Sequence, residues 1–124
     1  MKTFKVIITS IFALLMLVNS AAQTHAHNNL ALGQSADKTE SFKVWGRCDM
    51  CKTRIEKTVK AEGASSANWD VKSQILKVTY DPSKTSKEAL SKKLASVGHD
   101  TEKFKAPDDV YAKLPGCCHY ERQK

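Results

Sequence analysis

The spacing of apolar and polar positions changes several times along the chain, and each change marks an element. Beyond residue 40, Phe42 and Val44 alternate with Lys43 and Trp45, the period of a short strand. Cys51, Ile55 and Val59 then recur four residues apart among charged neighbours. Lys52 to Glu62 therefore reads as an amphipathic helix that Gly63 stops. Ala67, Trp69 and Val71 alternate with Asn68 and Asp70, a second strand. After a turn at Lys72-Ser73-Gln74 comes a third strand, in which Leu76, Val78 and Tyr80 point one way, ended by Asp81-Pro82. Thr85-x-x-Glu88 has the form of a capping box, and a second helix follows with Leu90, Leu94 and Val97 as its apolar stripe and Gly98 as its C′ residue. His99 to Ala106 supplies a fourth strand with Phe104 inward. The order β-α-β-β-α-β is the split βαβ, or ferredoxin-like, arrangement: an α+β sandwich with two helices on one face of an antiparallel sheet.

The N-terminal stretch has a different character. Lys2 and Lys5 form a basic start, Val6 to Val18 an apolar run and Asn19-Ser20-Ala21-Ala22 a small-residue cleavage site. Residues 1–22 read as a secretory signal peptide, too short and wrongly flanked for a membrane span. The chain is therefore expected to cross the inner membrane and to work in the periplasm. Cleavage leaves roughly 100 residues, enough for one small domain. Residues 23–40 are polar, hold His25 and His27, and read as a flexible leader; 41–106 form the folded domain, and 107–124 a tail. The formal net charge of +7 is spread over separate lysines such as Lys52, Lys57, Lys60, Lys72, Lys77, Lys92 and Lys93. That describes a solvated surface rather than a basic block, and nucleic acid is not an expected partner.

The candidate chemistry lies where the first strand meets the first helix. Cys48-Asp49-Met50-Cys51 places two thiols on a loop that becomes a helical first turn, where free backbone N–H groups and the helix dipole favour thiolate. Such a pair either clamps one soft metal ion or closes a disulfide. Arg47 and Lys52 flank the thiols and are expected to lower their pKa values by proximity. Met50, Trp45 and Trp69 read as packing residues. The other two of the four cysteines form Cys117-Cys118-His119 in the tail. One close pair and one vicinal pair would staple little chain as disulfides, so the tail reads as a second ligand set, or as one that folds over the first. No general base sits beside a nucleophile, so binding rather than turnover is expected. The rival from another class is a thiol–disulfide oxidoreductase using Cys48 and Cys51, and a third reading is a non-transferring metal buffer or sensor.

Cys48-x-x-Cys51-x-x-x-Ile55-Glu56, Trp69-Asp70, Val78-x-Tyr80-Asp81-Pro82 and Gly98-His99-Asp100 stand in the order found in the heavy-metal-associated domain family, which the chain resembles from Ser41 to about Ala106. Its members include copper chaperones, amino-terminal modules of metal-pumping P-type ATPases and an exported mercury-binding protein. The resemblance implies a ferredoxin-like fold and a metal held by Cys48 and Cys51; two-coordinate thiolates suit Cu(I) foremost, or Hg(II), and a four-donor site that includes the tail would suit Zn(II). It also implies a metal-transporting membrane protein or another acceptor as partner. His99 occupies a turn that lies beside the metal loop in this family, which makes it a third candidate ligand. Three residues depart from the pattern: Trp45-Gly46-Arg47 stands where Gly-Met-x is usual, so either the loop is one residue shorter or the apolar anchor has changed, with Trp45 or Met50 in the place of that Met. Cys117, Cys118 and His119 fall outside the resemblance, and their candidacy rests on donor chemistry alone.

Overall fold

The computed structural model describes residues 36–124. The expected signal peptide and the leader up to residue 35 lie outside them. Three strands, β1 (Lys38–Lys43), β2 (Ala64–Trp69) and β3 (Ile75–Tyr80), form an antiparallel sheet in the order β1-β3-β2. Phe42 and Trp69 both stand opposite Leu76 across this sheet. Period two puts Phe42, Trp69, Leu76, Val78 and Tyr80 on its covered face. Two helices, α1 (Asp49–Ala61) and α2 (Lys87–Ser96), supply the opposing layer: Cys51, Ile55 and Val59 from α1, Leu90 and Leu94 from α2, all fully buried. The ferredoxin-like α+β sandwich is thus formed by the stripes that the sequence displays.

Both helices end on a glycine in the left-handed region, Gly63 at φ +100° and Gly98 at φ +105°. After α2 the Gly98 N–H donates to Ala95 O (3.1 Å) and the His99 N–H to Leu94 O (3.0 Å), a Schellman closure. This closure turns His99, Asp100 and Thr101 sharply into the interior, where all three are buried. The N-terminus of α2 differs from expectation by one residue. Ser86, not Thr85, is the cap, its hydroxyl accepting from the Ala89 N–H at 3.1 Å.

The fourth strand expected over His99–Ala106 is reduced to one rung. Val44 pairs with Thr101, and the Trp45 N–H donates to Asp100 O at 2.8 Å. Beyond that rung the backbone is engaged elsewhere. The Thr101 N–H donates to Phe104 O, closing a tight loop, and the Ala106 N–H goes to the Asp100 carboxylate. Phe104 is consequently only half-buried and stands outside the core.

The residues after Ala106 form a short helix, α3 (Asp108–Ala112), and a 3₁₀ turn at Gly116–Cys118. Leu114, Cys118 and Tyr120 from this segment belong to the same buried cluster as the sandwich. Sequence periodicity gave no sign of this; the segment is a structural layer over the loop end of the domain.

Candidate metal centre

The loop before α1 is fixed from both sides. The Val44 N–H donates to Gln74 O (2.9 Å), the Trp69 indole N–H to Val44 O (3.0 Å), and the Gln74 side-chain amide to Gly46 O (2.6 Å). Gly46 is pressed against Trp69: a Cβ there would lie 2.8 Å from the indole and 3.1 Å from the Cys51 Cβ. No side chain fits, which explains why glycine stands before Arg47. Cys48 then takes the N-cap position of α1 in extended backbone, with no side-chain cap bond, and its thiol is left for other partners. One turn on, Cys51 lies on the buried face. Its Sγ is 3.5 Å from the Arg47 N–H and 3.5 Å from the Cys48 Sγ.

The tail adds two more sulfurs. Cys118 Sγ lies 3.6 Å from Cys48 Sγ, Cys117 Sγ lies 3.9 Å from Cys118 Sγ, and the thiols of Cys48, Cys117 and Cys118 all fall within 4.8 Å of one another. Cys51 and Cys118 are buried, Cys48 is half-buried and Cys117 exposed; all four are free thiols. A polar clamp holds the tail there. The Tyr120 hydroxyl donates to Gly98 O (2.7 Å) and accepts from the Asp100 N–H (2.8 Å), while Arg122 grips the Asp100 carboxylate at 2.8 and 3.1 Å. The same guanidinium bonds Asp108 (2.6 Å) and the Ala106 carbonyl. Tyr111 donates to Tyr120 O at 2.6 Å. Burial opposes the charge of the Asp100 carboxylate, and Arg122 foremost, with the Ala106 and Gln123 N–H groups, keeps it ionised.

The four thiols are not equivalent. Burial works against the Cys48 thiolate, but the backbone N–H of Cys51 and the neighbouring thiols of Cys117, Cys51 and Cys118 outweigh it, and its pKa falls to about 7. Burial raises that of Cys118 well above the usual thiol value, and the bonds to Cys51 and Cys48 push it the same way. Cys117 is raised by its bond to Cys48. One proton thus leaves this group readily, from Cys48. Lys52 does not act as expected on the thiols. Its ammonium is engaged by Glu56 (2.6 Å) and Trp69 O (2.7 Å).

His99 is fully buried, its Nδ1 2.9 Å from Trp45 O, and its ring stacks on Tyr120. A carbonyl only accepts, so Nδ1 carries the proton and Nε2 is a bare lone pair with no partner. Burial holds this imidazole neutral, with its pKa at about 4. It stands outside the group of thiols that fall within 4.8 Å. His119 is exposed, and its ring lies against Tyr111 rather than among the sulfurs. Met50 is not the packing residue expected. It is 53% exposed, with its Sδ 3.3 Å from the Cys117 Sγ, whereas Trp45 packs on the core. Tyr120, Arg122 and Asp100 were invisible as site residues because the clamp joins positions some 20 apart in the chain; Met50 had a signal, a soft donor between two cysteines.

A small α+β sandwich whose first loop and first helix carry a paired thiol site defines the class of the protein. Residues 47–100 match the model of the heavy-metal-associated domain. Oxidised MerP from Ralstonia metallidurans CH34 is 30% identical over 54% of this chain and 96% of its own, with a TM-score of 0.50. The water-soluble region of the P-type ATPase CopA from Bacillus subtilis is 32% identical with a TM-score of 0.51, over 54% of this chain but only 46% of that region. The CopZ metallochaperone is 26% identical over 52% of this chain and 98% of its own, with a TM-score of 0.49. No curated protein matches the chain. The chain belongs to the heavy-metal-associated domain family.

Proposed function

We propose that this chain is an exported binding protein for a soft metal ion, Cu(I) foremost, held by the thiolates of Cys48 and Cys51 with Cys118 as third donor. The observation that carries this reading is the placement of Cys118 Sγ 3.6 Å from Cys48 Sγ, which itself stands 3.5 Å from Cys51 Sγ. With metal–sulfur bonds of about 2.3 Å, sulfurs around one ion stand about 3.8 Å apart in a tetrahedron and about 4.0 Å apart in a triangle. The Cys51–Cys48 and Cys48–Cys118 spacings lie within tenths of an ångström of these values, while Cys51 stands outside the trio of thiols within 4.8 Å of one another and joins the site through Cys48. Three soft thiolates favour Cu(I); Zn(II) would draw on Cys117 as a fourth donor, and Hg(II) on the Cys48–Cys51 pair. In this reading His99 positions the loop through the Trp45 carbonyl, and His119 is not a ligand.

Binding and handing on the ion is the whole activity. The half-buried Cys48 is the most accessible of the three donors, so an acceptor's thiolate can displace it first. The acceptor is a metal-transporting membrane protein or another metal carrier, which the likeness to a soluble region of a P-type ATPase supports. The scattered lysines would guide docking to an acidic face. The work is done in the periplasm, on the strength of the expected signal peptide.

The test is competitive titration of the reduced protein with Cu(I), Zn(II) and Hg(II), alongside a Cys48→Ser/Cys51→Ala double variant. Tight Cu(I) binding that the double variant loses is the expected result. Binding that survives in the variant, or vigorous reduction of insulin disulfides by a wild type that holds no metal, would overturn the reading.

A further inference from the structure

Five sulfurs are joined by close contacts at the loop end of the domain. From inside outward the steps are Cys51 to Cys48 (3.5 Å), Cys48 to Cys118 (3.6 Å), Cys118 to Cys117 (3.9 Å) and Cys117 to the Met50 thioether (3.3 Å). If the inner three thiolates complete one trigonal ion, two soft donors are left over, facing each other at the protein surface. Among the described residues Met50 is the most exposed large apolar side chain, at 53%. An exposed methionine whose sulfur turns to a thiol, rather than to the core beneath it, is placed for binding rather than packing.

We infer that Cys117 and Met50 form a second, outer subsite for a soft monovalent ion, so that the chain carries two Cu(I) ions on five sulfurs. This rests on the inner site proposed above. Cys48 Sγ lies within 4.8 Å of both Cys117 and Cys118, and a thiolate has lone pairs enough to bridge two ions. The outer ion is then held by Cys117, Met50 and the bridging Cys48. Each Cys thiol gives its proton to solvent as the ion binds; the thioether contributes a lone pair and no charge. The donor set excludes hard cations and disfavours Zn(II), for which a neutral thioether is a poor ligand. The outer ion, on exposed donors, is the one an acceptor meets first.

The test is titration of the full reduced protein with Cu(I), read by native mass spectrometry and by competition with a chromophoric Cu(I) chelator. Wild type, Met50→Leu and Cys117→Ser are compared; both side chains are exposed, so neither change disturbs the core. The expected result is two ions per monomer in wild type. Each variant then weakens the second ion by roughly 10- to 100-fold and leaves the first unchanged. A wild type that stops at one ion, or a Met50→Leu variant that binds the second as tightly as wild type, would overturn the outer subsite while leaving the inner one standing. A wild type that takes no Cu(I) at all would overturn both.

Discussion

Replacing Tyr120 by Phe isolates what the hydroxyl of one residue contributes to closing the tail over the thiols. The ring remains free to pack as before, stacked on His99 and edge-on to Tyr111. The hydroxyl, however, accepts from the Asp100 N–H at 2.8 Å and donates to Gly98 O at 2.7 Å, all within the buried interior. Phe leaves one backbone donor and one acceptor unpaired, and an orphaned buried group costs about 1–3 kcal/mol. The carbonyl has a second lone pair and relaxes more easily, so the sum is expected at about 2–4 kcal/mol, a large share of the stability of a small domain. Urea unfolding followed by circular dichroism reads this directly. Thiol labelling with peptide mapping adds a local readout, because Cys118 is fully buried and should react faster once the clamp loosens. Tyr111→Phe is the control: its hydroxyl makes a single part-buried bond, to the Tyr120 carbonyl, and should cost about 1 kcal/mol or less. A Tyr120→Phe loss below about 0.5 kcal/mol, with Cys118 labelling unchanged, would refute the clamp.

Two further outcomes follow from the same turn. His99 has its pKa at about 4 when folded against 6.5 when free, so the unfolded chain binds the extra proton. Stability is therefore fully present above pH 6.5 and falls as the pH drops towards 4, by about 3 kcal/mol in total. Chemical denaturation between pH 6.5 and about 5, below the titration of Cys48 at about 7, should show this slope in wild type and not in His99→Phe, whose loss of the Trp45 bond lowers stability equally at every pH. The carboxyls of Glu40, Glu56 and Asp100 are held below their ordinary values, so their own contribution is lost only as the pH falls below about 5. Gly98→Ala should destabilise by about 1–3 kcal/mol. It forces φ +105° on an L side chain and drives a Cβ to 2.9 Å from Leu114 of the tail, and thermal melting checks it.

The sandwich was legible because its stripes are local. Cys51, Ile55 and Val59 repeat with the helix, Leu76, Val78 and Tyr80 with the strand, and each burial follows from its own neighbours in sequence. Other features depend on competition at a distance. The alternation after His99 looks like a strand, yet the ladder stops at Thr101 because Asp100 takes the Ala106 N–H and Thr101 takes Phe104 O. The beginning of β1 at Lys38 was read as leader because Lys38, Thr39 and Glu40 carry no apolar side chain; what sets them in the sheet is backbone pairing with β3. The thiols of the loop were readable from their spacing, and those of the tail from donor type alone. What brings Cys118 to Cys48 is an Arg122–Asp100 pair and a Tyr120 hydroxyl, and a polar network between remote positions leaves no period to detect. Met50 was misread for a related reason. A methionine beside a buried helix turn is most often packing, and its partner Cys117 lies 67 residues away in the chain.

The most direct measurement on the site is X-ray absorption at the copper edge of the reduced protein loaded with one equivalent of Cu(I), compared with Cys118→Ala. Three sulfur scatterers at about 2.3 Å in wild type, falling to two in the variant, are the result expected of a loop pair closed by the tail. Two sulfurs in both proteins, or a nitrogen or oxygen scatterer in place of the third sulfur, would contradict it.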